Sequence, residues 1–222
     1  MTLFELVLAH YLYNKMESYD KSLTKFLNDP ENQNFDFRND KQTIALLEWL
    51  NKWGCRNISK ASYPTLCKKL PIWWNQNNLS HFKKDEASVS RIFNSLMNII
   101  VSEDNERTVT FGPTAASKTL FIIDKDYFIP WDQEIRKKTK NSPDGKGYYN
   151  YLTNSKNELN ELLIRSTESG IVWEKQKTLF QNYISDMKLV DEYNWITKTK
   201  KIKLDMDKCE FKKLYEILMK AV

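Results

Sequence analysis

The chain has 222 residues, of which 41% are hydrophobic, 13% aromatic and 28% charged. This composition is typical of a folded globular protein, and no apolar run approaches the roughly 20 residues that a membrane-spanning helix needs. The formal net charge of +5 favours a polyanionic partner. Three scattered cysteines, Cys55, Cys67 and Cys209, fit a reducing compartment, and we expect a cytoplasmic protein without a signal peptide.

Apolar residues recur at helical spacing along most of the chain. Asp40 begins a strong helix, and Gly54 follows its last apolar residue, where glycine commonly ends a helix. Residues 107–111 favour a strand, whereas residues 119–123 fit a buried helix better. We predict an all-α fold with loops at 29–39 and 197–205 and helices near 2–18, 23–27, 40–53, 63–74, 85–102, 113–124, 132–140, 147–165, 171–190 and 211–219.

Several independent features coincide at fixed spacing between Thr108 and Asp132. Gly112 precedes Pro113, and small and apolar residues follow, so a tight turn should feed a helix with proline at its first position. That helix should end near Asp124, and after a short connection Asp132 should head a second helix. A turn suited to binding an anion therefore precedes one helix, and a carboxylate precedes the next.

This stretch resembles the hairpin of the helix-hairpin-helix DNA glycosylase superfamily, which contains endonuclease III, MutY-type adenine glycosylases and 8-oxoguanine glycosylases. The family hairpin reads approximately Leu-Pro-Gly-Val-Gly-x-Lys/Ser-Thr-Ala and is followed at a fixed distance by Val-Asp-Thr-His-Val-x-Arg. With Gly112 on the second hairpin glycine, Thr114 takes the lysine or serine position and Ala116 takes the alanine. Asp132 then takes the catalytic aspartate without a gap, and Arg136 lies near the arginine that follows it.

The chain also departs from the family. Val109 and Thr110 replace the proline and the first glycine of the hairpin, so the backbone turn that grips a phosphate is expected to be distorted or shifted. Gln133 and Glu134 replace the threonine and histidine after the aspartate. The cysteines lack the close C-terminal spacing of an iron-sulfur site, and we expect no cluster and no other cofactor.

The resemblance implies two helical lobes with a cleft between them. Residues 30–126 would form a six-helix lobe with the hairpin motif at about 104–124, and residues 1–29 together with 127–222 would form the second lobe. Asp132 would then lie at the seam between the lobes.

A carboxylate at a helix start suits hydrolysis of the N-glycosidic bond in DNA. Positive charge develops on the deoxyribose as the base leaves, so the site needs a fixed anion and a water beside the anomeric carbon. We interpret Asp132 as this catalytic residue, with a helix N-cap as its alternative role. Thr114 cannot form the Schiff base of bifunctional family members, which predicts a monofunctional enzyme. Lys118, one turn further on, either faces solvent or a phosphate, or supplies weak lyase activity.

The predicted partner is double-stranded DNA with a flipped-out damaged or modified base. The resemblance and the basic run after the aspartate assign the DNA backbone to Thr110, Phe111, Gly112, Arg136, Lys137 and Lys138. Trp131, Trp53 and Arg56 are candidates for the base pocket. Core packing is the alternative role for the tryptophans, and a charge at a helix C-terminus is the alternative for the arginine.

Other functions stay open at this point. The chain could be a catalytically inactive helix-hairpin-helix DNA-binding protein in which Asp132 only caps a helix, or it could act on RNA or a free nucleoside. The sequence does not identify the base. We expect a monomer with no membrane partner. His10 and His81 are isolated in the sequence from each other and from any cluster at ligand spacing, so we expect no zinc.

Overall fold

The structure, a computed structural model, describes residues 1–16, 19–32, 34–77, 82–103, 107–180 and 182–204. Most of these residues are helical, which confirms the all-α prediction. None of the helices in these ranges combines the length and apolar character that crossing a bilayer demands. The elements are α1 (Leu3–Met16), α2 (Tyr19–Asn28), α3 (Asp40–Lys52), α4 (Tyr63–Asn77), α5 (Glu86–Met97), β1 (Ile100–Glu103), β2 (Thr108–Thr110), α6 (Gly112–Ile123), α7 (Gln133–Thr139), α8 (Gly145–Glu168), α9 (Trp173–Gln176) and α10 (Asp186–Asn194).

The chain divides into two compact units. The first unit comprises residues 1–17 and 153–222, and the second comprises residues 18–152, so the division falls within α8. The lobes expected from the sequence divide the chain elsewhere, after residues 29 and 126. As a result Asp132 belongs to the same unit as α6, whereas the sequence assigned it to the other lobe.

In the second unit the chain packs around α6, which is buried along most of its length. Helices α3 and α5 contact α6, and its small and apolar residues allow this close packing. An aromatic cluster fills the adjoining core: the rings of Phe93, Trp131, Tyr148 and Tyr151 lie against one another and are fully buried. The predicted end of the helix is confirmed, since α6 stops at Ile123.

Helix α3 begins and ends where the sequence predicts. At its C-terminal end the Cys55 N–H donates to the Leu50 carbonyl at 3.0 Å, and the Gly54 N–H donates to the Asn51 carbonyl at 3.2 Å. These two hydrogen bonds form a Schellman motif, which requires a left-handed residue after the helix. Gly54 has φ of +82°, which glycine adopts without the steric cost that a side chain would add.

The helix predicted over 85–102 is wrong in its last turn, because α5 ends at Met97. The β-branched run that follows favours a strand, and β1 pairs antiparallel with β2, with Ile100 opposite Thr110 and Glu103 opposite Thr108. The segment leading into α6 is therefore strand β2, whereas the resemblance implies a turn between two helices. Strand β2 lies within residues 107–111, the stretch that the sequence marks as favouring a strand.

In the first unit α1 packs against α10 and against a short π-helical stretch, Trp195–Thr199. The helix predicted over 171–190 is divided into α9 and α10, because the Ser185 hydroxyl accepts the Lys188 N–H at 3.1 Å and so begins a new helix. The loop predicted over 197–205 begins within the π-helical stretch, and the helix predicted over 211–219 lies outside the described residues.

Candidate functional site

Asp132 caps helix α7. Its Oδ1 accepts the Ile135 N–H at 2.8 Å, and the backbone of Asp132 is extended, as an N-cap requires. The prediction that Asp132 heads a second helix is confirmed. The cap also holds the carboxylate in one orientation at the start of α7, with the side chain half-buried.

Arg136, one turn into α7, reaches back to α6. Its Nη1 donates to Thr114 Oγ1 at 3.0 Å and to the Trp131 carbonyl at 2.8 Å, and its guanidinium lies over the Trp131 ring at 5.4 Å. Burial lowers the pKa of Arg136, and the nearby Asp132 carboxylate acts in the opposite direction. Arg136 therefore links α6 to the start of α7. Thr114, predicted for catalysis, and Arg136, predicted for DNA binding, are in direct contact.

Ser117 is a member of the same site that the sequence analysis missed. Its hydroxyl accepts the Trp131 N–H at 2.9 Å and donates to the Thr114 carbonyl at 3.0 Å, with the side chain fully buried. The available signal was a serine directly after two alanines in a helix predicted to be buried. We call Thr114, Ser117, Trp131, Asp132 and Arg136 the α6–α7 seam.

Lys118 is buried, with 8% of its surface exposed, so it does not face solvent as one of its expected roles required. Its ammonium donates to the Trp53 carbonyl and lies 4.2 Å from the centre of the Trp53 ring. Trp53 is the C-cap of α3, so the cation sits at the negative end of that helix dipole. Burial raises the pKa of the neighbouring Cys55 thiol, and the Lys118 charge partly opposes this. One role expected for Arg56 was a positive charge at the C-terminal end of a helix. Lys118 provides that charge at the end of α3.

The three candidates for a base pocket differ in accessibility. Trp131 has no exposed surface and Trp53 is buried, so neither ring lines an open cleft, and for Trp131 this corrects the expectation of an accessible position beside Asp132. Arg56 is exposed, and its side chain has no hydrogen bond or ion pair with any other residue that the structure describes. Next to it, Asn57 Nδ2 donates to the Thr110 carbonyl at 3.1 Å and joins the loop after α3 to β2.

The residues assigned to contact the DNA backbone also differ in burial and in their partners. Phe111 is buried and its N–H donates to the Ile99 carbonyl at 2.8 Å, so its side chain packs in the core. Gly112 has φ of +81°, a conformation that a residue with a side chain rarely adopts. Lys137 pairs with Glu134 at 2.7 Å, whereas Lys138 is exposed and makes no ion pair with another described residue.

A cluster of buried charges in the first unit was not predicted. Lys188 Nζ lies 3.1 Å from Asp191 Oδ2 and 3.3 Å from Glu192 Oε1, and it sits 3.9 Å from the centre of the Tyr13 ring. His10 Nδ1 contacts Glu192 Oε2 at 2.6 Å, so His10 is not isolated from carboxylates as its sequence neighbours suggest. We call His10, Lys188, Asp191 and Glu192 the buried ionic cluster.

The sequence held a weak signal for this cluster. Asp191 and Glu192 come three and four residues after Lys188 within an apolar stretch, so both carboxylates lie near Lys188 on the helix surface. Their partner His10 comes from the other end of the chain, 182 residues from Glu192. No group of three or more His, Cys, Asp or Glu side chains in the described part of the chain is arranged to hold a metal ion.

Comparison of the chain with protein-family models, with curated proteins and with solved structures gives no significant match. The resemblance to the helix-hairpin-helix glycosylases therefore rests on residue spacing alone.

Proposed function

We propose that the chain is a DNA glycosylase that releases a damaged or modified base by hydrolysis, with Asp132 as the catalytic carboxylate. The observation that carries the proposal is the double hydrogen bond of Arg136 to Thr114 and to the Trp131 carbonyl. It joins the start of α7, which Asp132 caps, to the helix that resembles the family hairpin, so the two matched features are linked by contact as well as by spacing.

The seam and the rest of α7 offer an anion and a cation that suit this reaction. A capped and half-buried carboxylate supplies a fixed anion for the positive charge that develops on the sugar. The cap preserves the orientation of the carboxylate while the substrate binds, because the helix backbone holds one of its oxygens. The exposed Lys138 lies one and a half turns further along α7, where it can neutralise a phosphate.

The most direct experiment compares Asp132→Asn with the wild type. Asparagine caps a helix as well as aspartate does, so this variant removes the charge and keeps the fold. Asp85→Asn is the matched control, because Asp85 caps α5 by accepting the Ser88 N–H at 2.8 Å. The purified proteins are incubated with duplex DNAs carrying damaged, mismatched or hypermodified bases, and released bases are measured by mass spectrometry.

We expect release by the wild type and by Asp85→Asn, and at least about a hundredfold slower release by Asp132→Asn. Binding of the same duplexes should be unchanged or tighter in Asp132→Asn, since the variant removes a negative charge facing a polyanion. Equal rates for all three proteins would refute the assigned role of Asp132.

The mode of reaction has its own test. The Lys118 ammonium is buried against the Trp53 carbonyl, which supports a water-dependent reaction without a Schiff base. Borohydride added during turnover should therefore trap no covalent protein–DNA adduct. An adduct lost in Lys118→Met would assign lyase activity to Lys118.

A catalytically inactive DNA-binding protein is the second candidate. The observation that favours it is the cap itself, because the hydrogen bond to Ile135 gives Asp132 a complete structural role. Under this alternative the wild type and Asp132→Asn bind duplex DNA alike, with affinity that falls steeply with salt, and neither releases a base.

A further inference from the structure

A cleft of about 760 Å³ opens in the second unit at the C-terminal end of α6. Ile122 and Ile123 line it, and Ile122 lies eight residues along the helix from Thr114, or about 12 Å at the rise of an α-helix. None of the lining residues belongs to the α6–α7 seam. The volume falls within the range of about 300 to 1,000 Å³ that holds small organic ligands in proteins.

The walls of the cleft suit a planar ring. Phe35 and Trp74 are half-buried and expose part of their rings, whereas Phe26 and Ile122 are buried and form apolar surface beneath them. Aromatic faces bind the π-face of a flat heterocycle by stacking, with little dependence on its substituents.

The lining carries no unbalanced charge. Arg38 Nε contacts Asp36 Oδ1 at 3.0 Å and Oδ2 at 2.9 Å, and these side chains are the cation and the anion of the lining. The Arg38 guanidinium holds the pKa of the Asp36 carboxyl below its usual range, so the pair stays ionised and mutually neutralised. A ligand with a phosphate group would find no free cation on these walls.

Three polar groups of the lining remain unused by the fold. The side-chain amides of Asn34 and Asn75 and the indole N–H of Trp74 make no hydrogen bond with another residue that the structure describes. Each amide offers one donor and one acceptor side by side. Every nucleobase carries an adjacent donor and acceptor on at least one edge, so such an amide can pair with the polar edge of a stacked base.

From these features we propose that the cleft binds an uncharged nucleoside, with the base against Phe35 and Trp74 and its polar edge on Asn34 or Asn75. The site is separate from the α6–α7 seam, and the proposal does not depend on the proposed glycosylase activity.

The test is calorimetric titration of the full chain with adenosine, guanosine, cytidine, uridine and adenosine 5′-monophosphate. Asn75→Ala removes one amide, and Gln76→Ala is the matched control, because Gln76 is the next residue of α4, is also exposed and does not line the cleft. Thermal unfolding of both variants checks that the fold is kept.

We expect saturable one-to-one binding of the nucleosides, tighter for adenosine and guanosine because a purine stacks over a larger area, and no gain in affinity from the phosphate. Asn75→Ala should weaken adenosine binding about fivefold, in line with the loss of one or two neutral hydrogen bonds, while Gln76→Ala leaves it unchanged. No saturable binding of any nucleoside at millimolar concentration overturns the proposal. An equal response of the two variants also overturns it, as does clearly tighter binding of the monophosphate.

Discussion

The buried ionic cluster of the first unit and the α6–α7 seam of the second unit place ionisable groups in opposite settings. In the cluster, Lys188 and Glu192 are each 2% exposed or less, and the charges meet one another directly. In the seam, Asp132 and Arg136 are half-buried, and each bonds mainly to backbone or hydroxyl groups.

The two settings differ in whether an ionisable group can still contact a ligand. A charge removed from water is costly unless a partner of opposite sign compensates it, so the members of the cluster stabilise one another and their removal should affect folding. A half-buried carboxylate held by a helix cap keeps its charge at the edge of solvent, where a ligand can meet it. The seam therefore carries the proposed function although the cluster contains more charges.

The largest effect is expected from Lys188→Met. This change removes the ammonium that Asp191 and Glu192 share and should lower the free energy of unfolding by about 3 to 5 kcal/mol, measured by urea denaturation. Lys177→Met is the control, because Lys177 pairs with the exposed Glu174 and should cost at most about 1 kcal/mol. If both variants lost a similar amount of unfolding free energy, the buried ionic cluster would stabilise the fold no more than a surface ion pair does.

A smaller effect is expected from Ser117→Ala in the seam. The change leaves the buried Trp131 N–H without its acceptor and should cost about 1 to 3 kcal/mol in thermal or chemical unfolding. Thr119→Val is the matched control on the same helix, since the buried Thr119 hydroxyl has no hydrogen-bond partner in the described structure. This control should be neutral or stabilising, and a cost equal to that of Ser117→Ala would contradict the assigned role of the serine.

The smallest effect is expected from Asp144→Ala, which tests a capping carboxylate at the surface. Asp144 Oδ1 accepts the Gly147 N–H at 2.8 Å, and this hydrogen bond, followed by that of the Ser142 hydroxyl, lowers the pKa of Asp144. A carboxyl with a lowered folded-state pKa stabilises the fold above its ordinary pKa of about 3.9, and this contribution disappears as pH falls through the lowered value.

The variant should therefore lose about 1 kcal/mol of stability at pH 7, and the difference from the wild type should shrink as the pH falls below about 4. Urea denaturation at pH 7 and at pH 3 measures both quantities. A difference that grows on acidification would contradict the sign of the pKa shift.

Local features of the fold were predictable because neighbouring residues produce them. Gly54 ends α3 and Asp132 begins α7 through hydrogen bonds that span at most five residues. The seam was only partly predictable. The sequence identified Asp132, Thr114 and Arg136 by spacing, but it did not indicate that the last two are in contact or that Ser117 holds the backbone at Trp131.

The sequence by itself determined the helical class and most helix boundaries, since apolar periodicity and caps act over a few residues. The tertiary structure alone decided which polar groups are buried and with which partners. Lys118 meets the end of α3 across 65 residues, and His10 meets Glu192 across 182. Such pairs form because packing removes both groups from water at once. The residues next to either member in the sequence do not indicate its distant partner.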